Sequence, residues 1–391
     1  MKVKVISADH AVAYAAKLAR TEVVPSFPIT PQTLIVEQLA EFISDGELDA
    51  DFIPAESEHS VMSIAIGASA GGVRVFTATS SQGLALMHEM LYGVPQNRLP
   101  IVMANVNRSL GAASGIWVEY NDSMAERDSG WLQMYVEDNQ EALDATLMAF
   151  RIAEDRRALL PVMVCLDGFI LSHTVEKVEL PEQEEVDRFL PKYDPLNPLD
   201  PKEPRLINSI VPPEYAMEMR YQLDRAVEHS REVIVEVDRE FEKAFGRSYG
   251  GLIDTYRMED ADYAMLTLGT ATGLARRTVD KLRSQGQKAG LIKLRFMRPF
   301  PFKELCQATK GLKALGVFDR SASFNGGGPV HTEVAAALCN VPVTVTGHIA
   351  GIGGRDVTPQ HMEDMYAIVE KAARGEDVRP VTWHGLRGEM E

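Results

Sequence analysis

The chain has 391 residues, enough for two or three domains, and 45% of them are hydrophobic, enough for a large core. Asp and Glu number 56 against 40 Lys and Arg, a net charge of -16. Such a polyanion repels phosphate backbones and anionic lipid, which argues against a nucleic-acid partner.

Cys165, Cys306 and Cys339 lie far apart in the sequence. An iron–sulfur cluster normally takes four protein ligands, so neither a cluster nor a disulfide framework is expected on this chain, and a reducing compartment fits. The N-terminus lacks the apolar core of a signal peptide, and no stretch approaches the ~18 apolar residues of a membrane span. The expectation is a soluble, cytoplasmic protein with no membrane contact.

In chain order, residues 8–20 are Ala-rich and amphipathic and read as a helix. Residues 61–72 form a second helix, rich in Ala, Gly and Ser. Short apolar runs at 73–77, 101–105 and 161–166 read as buried strands, each followed by a polar loop. Strands alternating with helices predict an α/β fold with a parallel sheet, and ligands then sit beyond the carboxyl ends of the strands. The loops 78–83, 106–115 and 167–173 become candidates. Residues 176–213 are rich in proline and charge and read as an irregular crossing segment. A long amphipathic helix follows over 215–244, with Leu223, Val227, Ile234, Val237 and Phe241 on one face.

A second α/β region spans 255–380. Strands are expected at 263–268, 291–296, 316–318 and 341–345, and helices at 272–285 and 359–374. A polar, loosely held tail covers 381–391. The first domain is therefore drawn as 1–245.

Some residues invite chemistry. In Phe27-Pro28-Ile29-Thr30-Pro31, two prolines stiffen a loop that presents the Thr30 hydroxyl; the plain alternative is that Thr30 caps a helix with Pro31 at its first position. Glu56 and Glu58 flank the start of a helix, where a carboxylate is stabilised by the dipole or simply solvated. Gly67-Ala68-Ser69-Ala70-Gly71 has the spacing of a nucleophile elbow, but the serine lies within a helix rather than at a strand-to-helix turn, so hydrolase chemistry is set aside. Ser81 and Gln82 lie in a polar turn suited to a cofactor edge or to nothing but a turn. Arg108, at a strand's end, is placed to grip a carboxylate or to sit in solvent. Gly326–Gly328 and Gly351–Gly354 lack the dinucleotide spacing and read as turns.

Taken in order, several stretches resemble the 2-oxoacid:ferredoxin oxidoreductase family, in particular the α subunit of its pyruvate-acting members. They are Phe27–Pro31, Ser57–His59 with Gly67-Ala68-Ser69, Thr79–Gly83, Asn107-Arg108, Arg127–Trp131, Asn139–Ala142, Leu166–Phe169 with Ser172-His173, Arg298–Pro301 and Gly351–Gly354. The resemblance covers nearly the whole chain. It implies two transketolase-like parallel-sheet domains joined by the Pro-rich segment and the long helix. It also implies that the pyrimidine half of thiamine diphosphate binds here, along Pro28, Ile29, Ser81 and Gln82. Glu58 would bond the pyrimidine N1′, with Glu56 as the alternative, and Thr30 and Arg108 would hold the substrate carboxylate. A Gly-Asp-Gly motif followed by paired asparagines is absent. A β subunit would then carry the diphosphate and Mg2+, while a γ subunit and a ferredoxin-like subunit with [4Fe-4S] clusters would complete the complex, with a 2-oxoacid and coenzyme A as substrates.

The chain departs from the family in the loop 111–121, around Ser114, Ile116 and Trp117, and at Phe27, where tyrosine is common. Pyruvate is the first expectation. A branched or aromatic 2-oxoacid is the second. A thiamine enzyme without clusters and a non-catalytic scaffold are the others.

Overall fold

The computed structural model describes residues 2–111 and 115–388; the expectations that fall on Ser114 and on tail residues 389–391 lie outside the described residues. In the first part of the chain short β-branched runs alternate with helices. In order these are β1 (Lys2–Ile6), α1 (Ala8–Leu18), β2 (Val23–Ser26), α2 (Thr33–Ser44), β3 (Asp51–Pro54), α3 (Glu58–Ala70), β4 (Phe76–Thr79), α4 (Ser81–Gln96), β5 (Val102–Asn107), α5 (Asn121–Ala125), β6 (Leu132–Tyr135), α6 (Asn139–Ala153) and β7 (Val162–Asp167).

Strands β4, β5, β7 and β6 are parallel neighbours. A bridge from Val23 to Val75 extends the sheet to β2, which pairs with β3. Successive residues of β5 face opposite sides, as the strand period requires. Val102, Ala104 and Val106 pack with α1 and α6, while Met103 packs with α3 and α4. Both faces are covered, so these strands read as continuous apolar runs.

The segment expected to be irregular over 176–213 begins with regular structure. β8 (Glu176–Leu180) pairs antiparallel with β1, burying Val178 and Leu180, and α7 (Gln183–Phe189) starts with a capping box between Glu182 and Glu185. Only residues 190–212 are irregular. The long helix α8 (Pro213–Phe245) buries Val233, Ile234, Val237 and Phe241, and Gly246 ends it in the left-handed conformation (φ 73°).

The second half contributes β9 (Ile253–Tyr256), β10 (Tyr263–Thr267), α9 (Ala271–Ser284), β11 (Ala289–Leu294), β12 (Phe296–Arg298), α10 (Phe302–Ala308), β13 (Ala314–Asp319), α11 (Pro329–Ala337), β14 (Thr344–Ile349), α12 (Pro359–Ala373) and β15 (Val381–Trp383). Its sheet has the order β15-β14-β13-β10-β11-β9, parallel except for β9 at one edge.

Three expectations are corrected here. The run 341–345 is largely a turn, since Val341 and Val343 donate to nearby carbonyls and Pro342 has no N–H, so the strand begins at Thr344. The tail is not loose throughout, because Val381–Trp383 pairs in parallel with β14. The run 291–296 is split: β11 stays in the second sheet, whereas β12 crosses and pairs antiparallel with β6 in the first.

A buried ion network also joins the halves. Glu141, at the start of α6, meets Lys293 Nζ at 2.6 Å and Arg295 Nε at 3.2 Å, and Arg295 reaches Asp238 of α8 at 3.3 Å. Burial pushes the Glu141 carboxyl upward, but Lys293 and Arg295 more than offset this and hold it below its usual range.

Where β14 meets the chain after β15, His348 Nδ1 lies 3.1 Å from His384 Nε2, and its Nε2 lies 3.0 Å from the Thr346 hydroxyl. Burial, with His384 and His331 nearby, lowers the His348 pKa to about 3. An unfolded histidine takes a proton near 6.5, so between these values the unfolded state binds more protons. Stability present above about pH 6.5 is then lost on acidification, by roughly 2 kcal/mol between pH 7 and pH 5. Urea unfolding at the two pH values should show this loss, and His348→Gln should reduce it; equal losses in both proteins would remove His348 as its source.

Candidate active site

Loops from the carboxyl ends of β2, β4, β5 and β7 converge on one side of the first sheet. The loop after β2 runs through Phe27, Pro28, Ile29 and Thr30 and is closed by Gln32, whose side-chain amide donates to the Phe27 carbonyl at 2.9 Å. The Thr30–Pro31 peptide is cis. Thr30 does not cap a helix: α2 starts at Thr33 with Gln32 before it. The Thr30 residue is exposed, and its carbonyl accepts from the Arg108 guanidinium at 2.8 Å. This one bond brings together the two residues expected to hold a carboxylate. Arg108 Nε is buried without a partner, leaving an edge of the fork free.

Glu58 opens α3, capped by Ser57, and is only 6% exposed. Its carboxylate has no hydrogen-bond partner among the described residues, and it presses on the first turn of α4. A Cβ on Gly83 would come within 2.5 Å of both Glu58 Oε1 and Thr79 Oγ1. Thr79 Oγ1 is itself buried and unpartnered. Glycine at 83 is what lets these oxygens gather. Glu56, by contrast, is exposed and accepts from the Ser60 hydroxyl, which lowers its pKa.

Ser81 sits at φ 49°, a conformation that costs a residue with a Cβ of order 1 kcal/mol. Its hydroxyl turns inward onto the Ser109 carbonyl and the Gln82 side chain. Ser81 therefore braces the loop, and Gln82 is the exposed member of the pair. On the β7 side, the Gly168 N–H donates to the Asn107 carbonyl at 3.1 Å, and Phe169 packs between Trp117 and His173.

One residue absent from the sequence-based set organises all of this. Asp122, fully buried at the start of α5, accepts from the backbone N–H of Ser81 and of Arg108 at 3.1 Å each, from Asn105 Nδ2 at 3.2 Å, and from Asn107 Nδ2 and the Ser123 N–H at 2.8 Å each. Burial raises its pKa while these donors pull it back. A single carboxylate thus fixes the loop after β4 to the loop after β5. Nothing in the local Tyr120-Asn121-Asp122 stretch marks it, because all but one of its partners come from at least fourteen residues away.

The strand ends of this parallel sheet, where such sheets take ligands, thus gather a carboxylate without a partner and an arginine with an unpartnered Nε. Comparison with known proteins gives the chain a family. Residues 14–239 match the family described as "Pyruvate flavodoxin/ferredoxin oxidoreductase, thiamine diP-bdg", and residues 261–362 match "Pyruvate:ferredoxin oxidoreductase core domain II". The chain is 52% identical over 391 residues to the pyruvate synthase subunit PorA of Methanothermobacter thermautotrophicus, covering 100% of both chains. It is 48% identical to the Pyrococcus horikoshii pyruvate synthase subunit PorA, with 99% of this chain and 98% of that one covered. It is 45% identical to the ketoisovalerate oxidoreductase subunit VorA of the same organism, over 98% of each chain.

Among solved structures, a 2-oxoglutarate:ferredoxin oxidoreductase from Magnetococcus marinus superposes with a TM-score of 0.70 at 19% identity. It covers 95% of this chain, which spans 65% of that one. A split-gene transketolase superposes at 0.52 with 14% identity, covering 95% and 96%. The fold is thus transketolase-like α/β. The chain belongs to the 2-oxoacid:ferredoxin oxidoreductase family and is an oxidoreductase subunit with a thiamine diphosphate-binding domain. No helix among the described residues is long and apolar enough to cross a membrane.

Proposed function

We propose that this chain supplies the pyrimidine-binding and carboxylate-binding half of an active site that oxidatively decarboxylates pyruvate to acetyl-coenzyme A and carbon dioxide, with electrons passed to ferredoxin, or runs the reverse reaction. The observation that carries the reading is the Glu58 carboxylate, buried and unpartnered against Gly83. A carboxylate with little access to water and no donor from the chain is open to an N–H of a bound group. The pyrimidine ring of thiamine diphosphate offers such a partner; Thr79 shares the corner beside Gly83 with Glu58, Pro28, Ile29 and Gln82 are the further contacts we assign to the cofactor, and Ser81 braces the loop. When bound, the cofactor supplies the carbanion equivalent that the chemistry needs and acts as its electron sink. Glu58 holds and moves a proton at its Oε atoms. The Arg108 fork and the exposed Thr30 hydroxyl bind and orient the substrate carboxylate.

We place Mg2+ and the [4Fe-4S] clusters on partner subunits. Among the described residues no group of three or more His, Cys, Asp or Glu could hold a metal ion, and Cys165, Cys306 and Cys339 sit in separate elements. The expected partners are a β subunit with the diphosphate and Mg2+ site, a γ subunit and a ferredoxin-like cluster subunit, in the cytoplasm. The domain division stays as proposed, 1–245 and 255–380, with β12 as a structural link between them.

The second reading, a branched or aromatic 2-oxoacid, is favoured by one observation: the VorA relative is nearly as similar as the PorA relatives. The native complex, purified without oxygen, should reduce a ferredoxin-type dye with coenzyme A and pyruvate. Higher kcat/KM for 2-ketoisovalerate would move the specificity. No turnover with any 2-oxoacid, in a complex containing cofactor and iron, would overturn the reading.

Asp122→Asn replaces an acceptor of five N–H groups by a side chain with only one acceptor oxygen. The Arg108 and Ser81 loops should separate, and displacements near 1 Å at a reacting centre cost up to about a hundredfold. We expect kcat/KM to fall roughly tenfold to a hundredfold, mostly through KM for the 2-oxoacid, in steady-state assays of the assembled complex.

A further inference from the structure

Open α/β sheets take ligands beyond the carboxyl ends of their strands, where the strand order reverses. In the second sheet that point lies between β10 and β13: from β10 the chain goes one way to β11, then returns to the other side for β13, β14 and β15. A cleft of about 400 Å³ opens at this place, within the usual range for small-molecule sites. Arg320 and Thr270 lie at its base, Trp117, Phe169, Leu274 and Val357 along its sides, and Arg355 at its exposed rim beside Asp356.

The base holds a buried Arg320–Asp167 ion pair whose arginine has a donor to spare. Arg320 is 4% exposed; Asp167 meets it at 3.1 Å from Nη1, and its Nη2 donates to the Thr270 hydroxyl at 3.5 Å. The same Asp167 carboxylate is shared with the Tyr120 and Thr270 hydroxyls. Arg320 Nε is buried with no partner. The Thr270 hydroxyl and, at 3.4 Å, its N–H go to Asp167, so the hydroxyl does not cap α9, a 14-residue helix whose first turn lines the cleft through Ala271 and Leu274. Gly351 packs close to two of the lining residues: a Cβ there would stand 2.9 Å from Val357 Cγ2 and 3.3 Å from Arg320 Nε. The sides are apolar, with the Trp117 and Phe169 rings 4.5 Å apart between centroids.

We propose that this cleft binds a small organic anion, a carboxylate or phosphate carried on a flat apolar body. The charge sits at Arg320 and the α9 N-terminus, and the body lies among Trp117, Phe169, Leu274 and Val357. The site is separate from the one built on Glu58, Thr30 and Arg108; the Trp117 carbonyl accepts the Ser109 N–H between them. The binding does not depend on which reaction the complex performs.

The test is calorimetric titration of the intact complex with phenylacetate, phenyl phosphate and benzyl alcohol, three probes with one body and different charge. At least one of the two anions should bind saturably, and which one binds tells the two headgroups apart; benzyl alcohol should bind at least tenfold more weakly. Leu274→Trp, which fills the cleft, should weaken anion binding at least tenfold, and Val357→Phe gives an independent filling should the first variant fold poorly. Arg108→Gln should leave it unchanged. Three results would overturn the proposal: no saturable binding of either anion, binding that both filling variants leave intact, or binding lost in Arg108→Gln, which would assign the anion to the other site.

Discussion

A complex carrying Glu58→Gln is expected to turn over about a thousandfold more slowly than wild type while melting at the same temperature. The amide keeps the shape of the side chain, so packing against Gly83 and the Ser57 cap of α3 are preserved. What it removes is a group that takes and returns a proton, a contribution of typically 100- to 10,000-fold. Cofactor affinity should change little beside the loss in kcat. Glu56→Gln is the matched control: that residue is exposed and already bonded to Ser60, and its replacement should leave kcat within about twofold. Equal losses in the two variants would sink the assignment of Glu58.

Glu141→Ala should be strongly destabilising. The side chain is fully buried between Lys293 and Arg295. Removing one partner of a buried ion network strands the others and costs roughly 3–5 kcal/mol. Glu137 remains 3.0 Å from Lys293, and Asp238 remains 3.3 Å from Arg295, which places the loss toward the lower part of that range. Urea unfolding followed by tryptophan fluorescence measures it, with Trp131 buried in the first half as reporter. A loss under 1 kcal/mol would mean that water reaches the network. The Asn139–Ala142 stretch, singled out in the sequence by family resemblance, thus has a structural job: it ties α6 to β11.

The alternation of strands and helices was legible because both faces of the parallel sheets are covered, making their strands short continuous apolar runs. The loops at the strand ends were legible for the same reason, and with them Arg108 and Gln82. Glu58 needed more. Its neighbours offer Glu56 at nearly the same place, and only tertiary burial against Gly83 separates the two. Asp122 was invisible, since its donors lie in loops up to 41 residues away. The start of β8 was masked by the prolines that follow it, and the β14 boundary by the apolar look of Val341-Pro342-Val343, where proline prevents a ladder.

Strand β12 has a consequence for how the chain is made. The edge of β6 waits for a partner that is synthesised about 130 residues after β7 is complete. At about 5–20 residues per second, a ribosome leaves that edge uncovered for roughly 6–26 s. During this interval the nascent first half presents an open row of N–H and C=O groups to any passing strand. A gene split between the two halves would make the exposure permanent until the second polypeptide arrived.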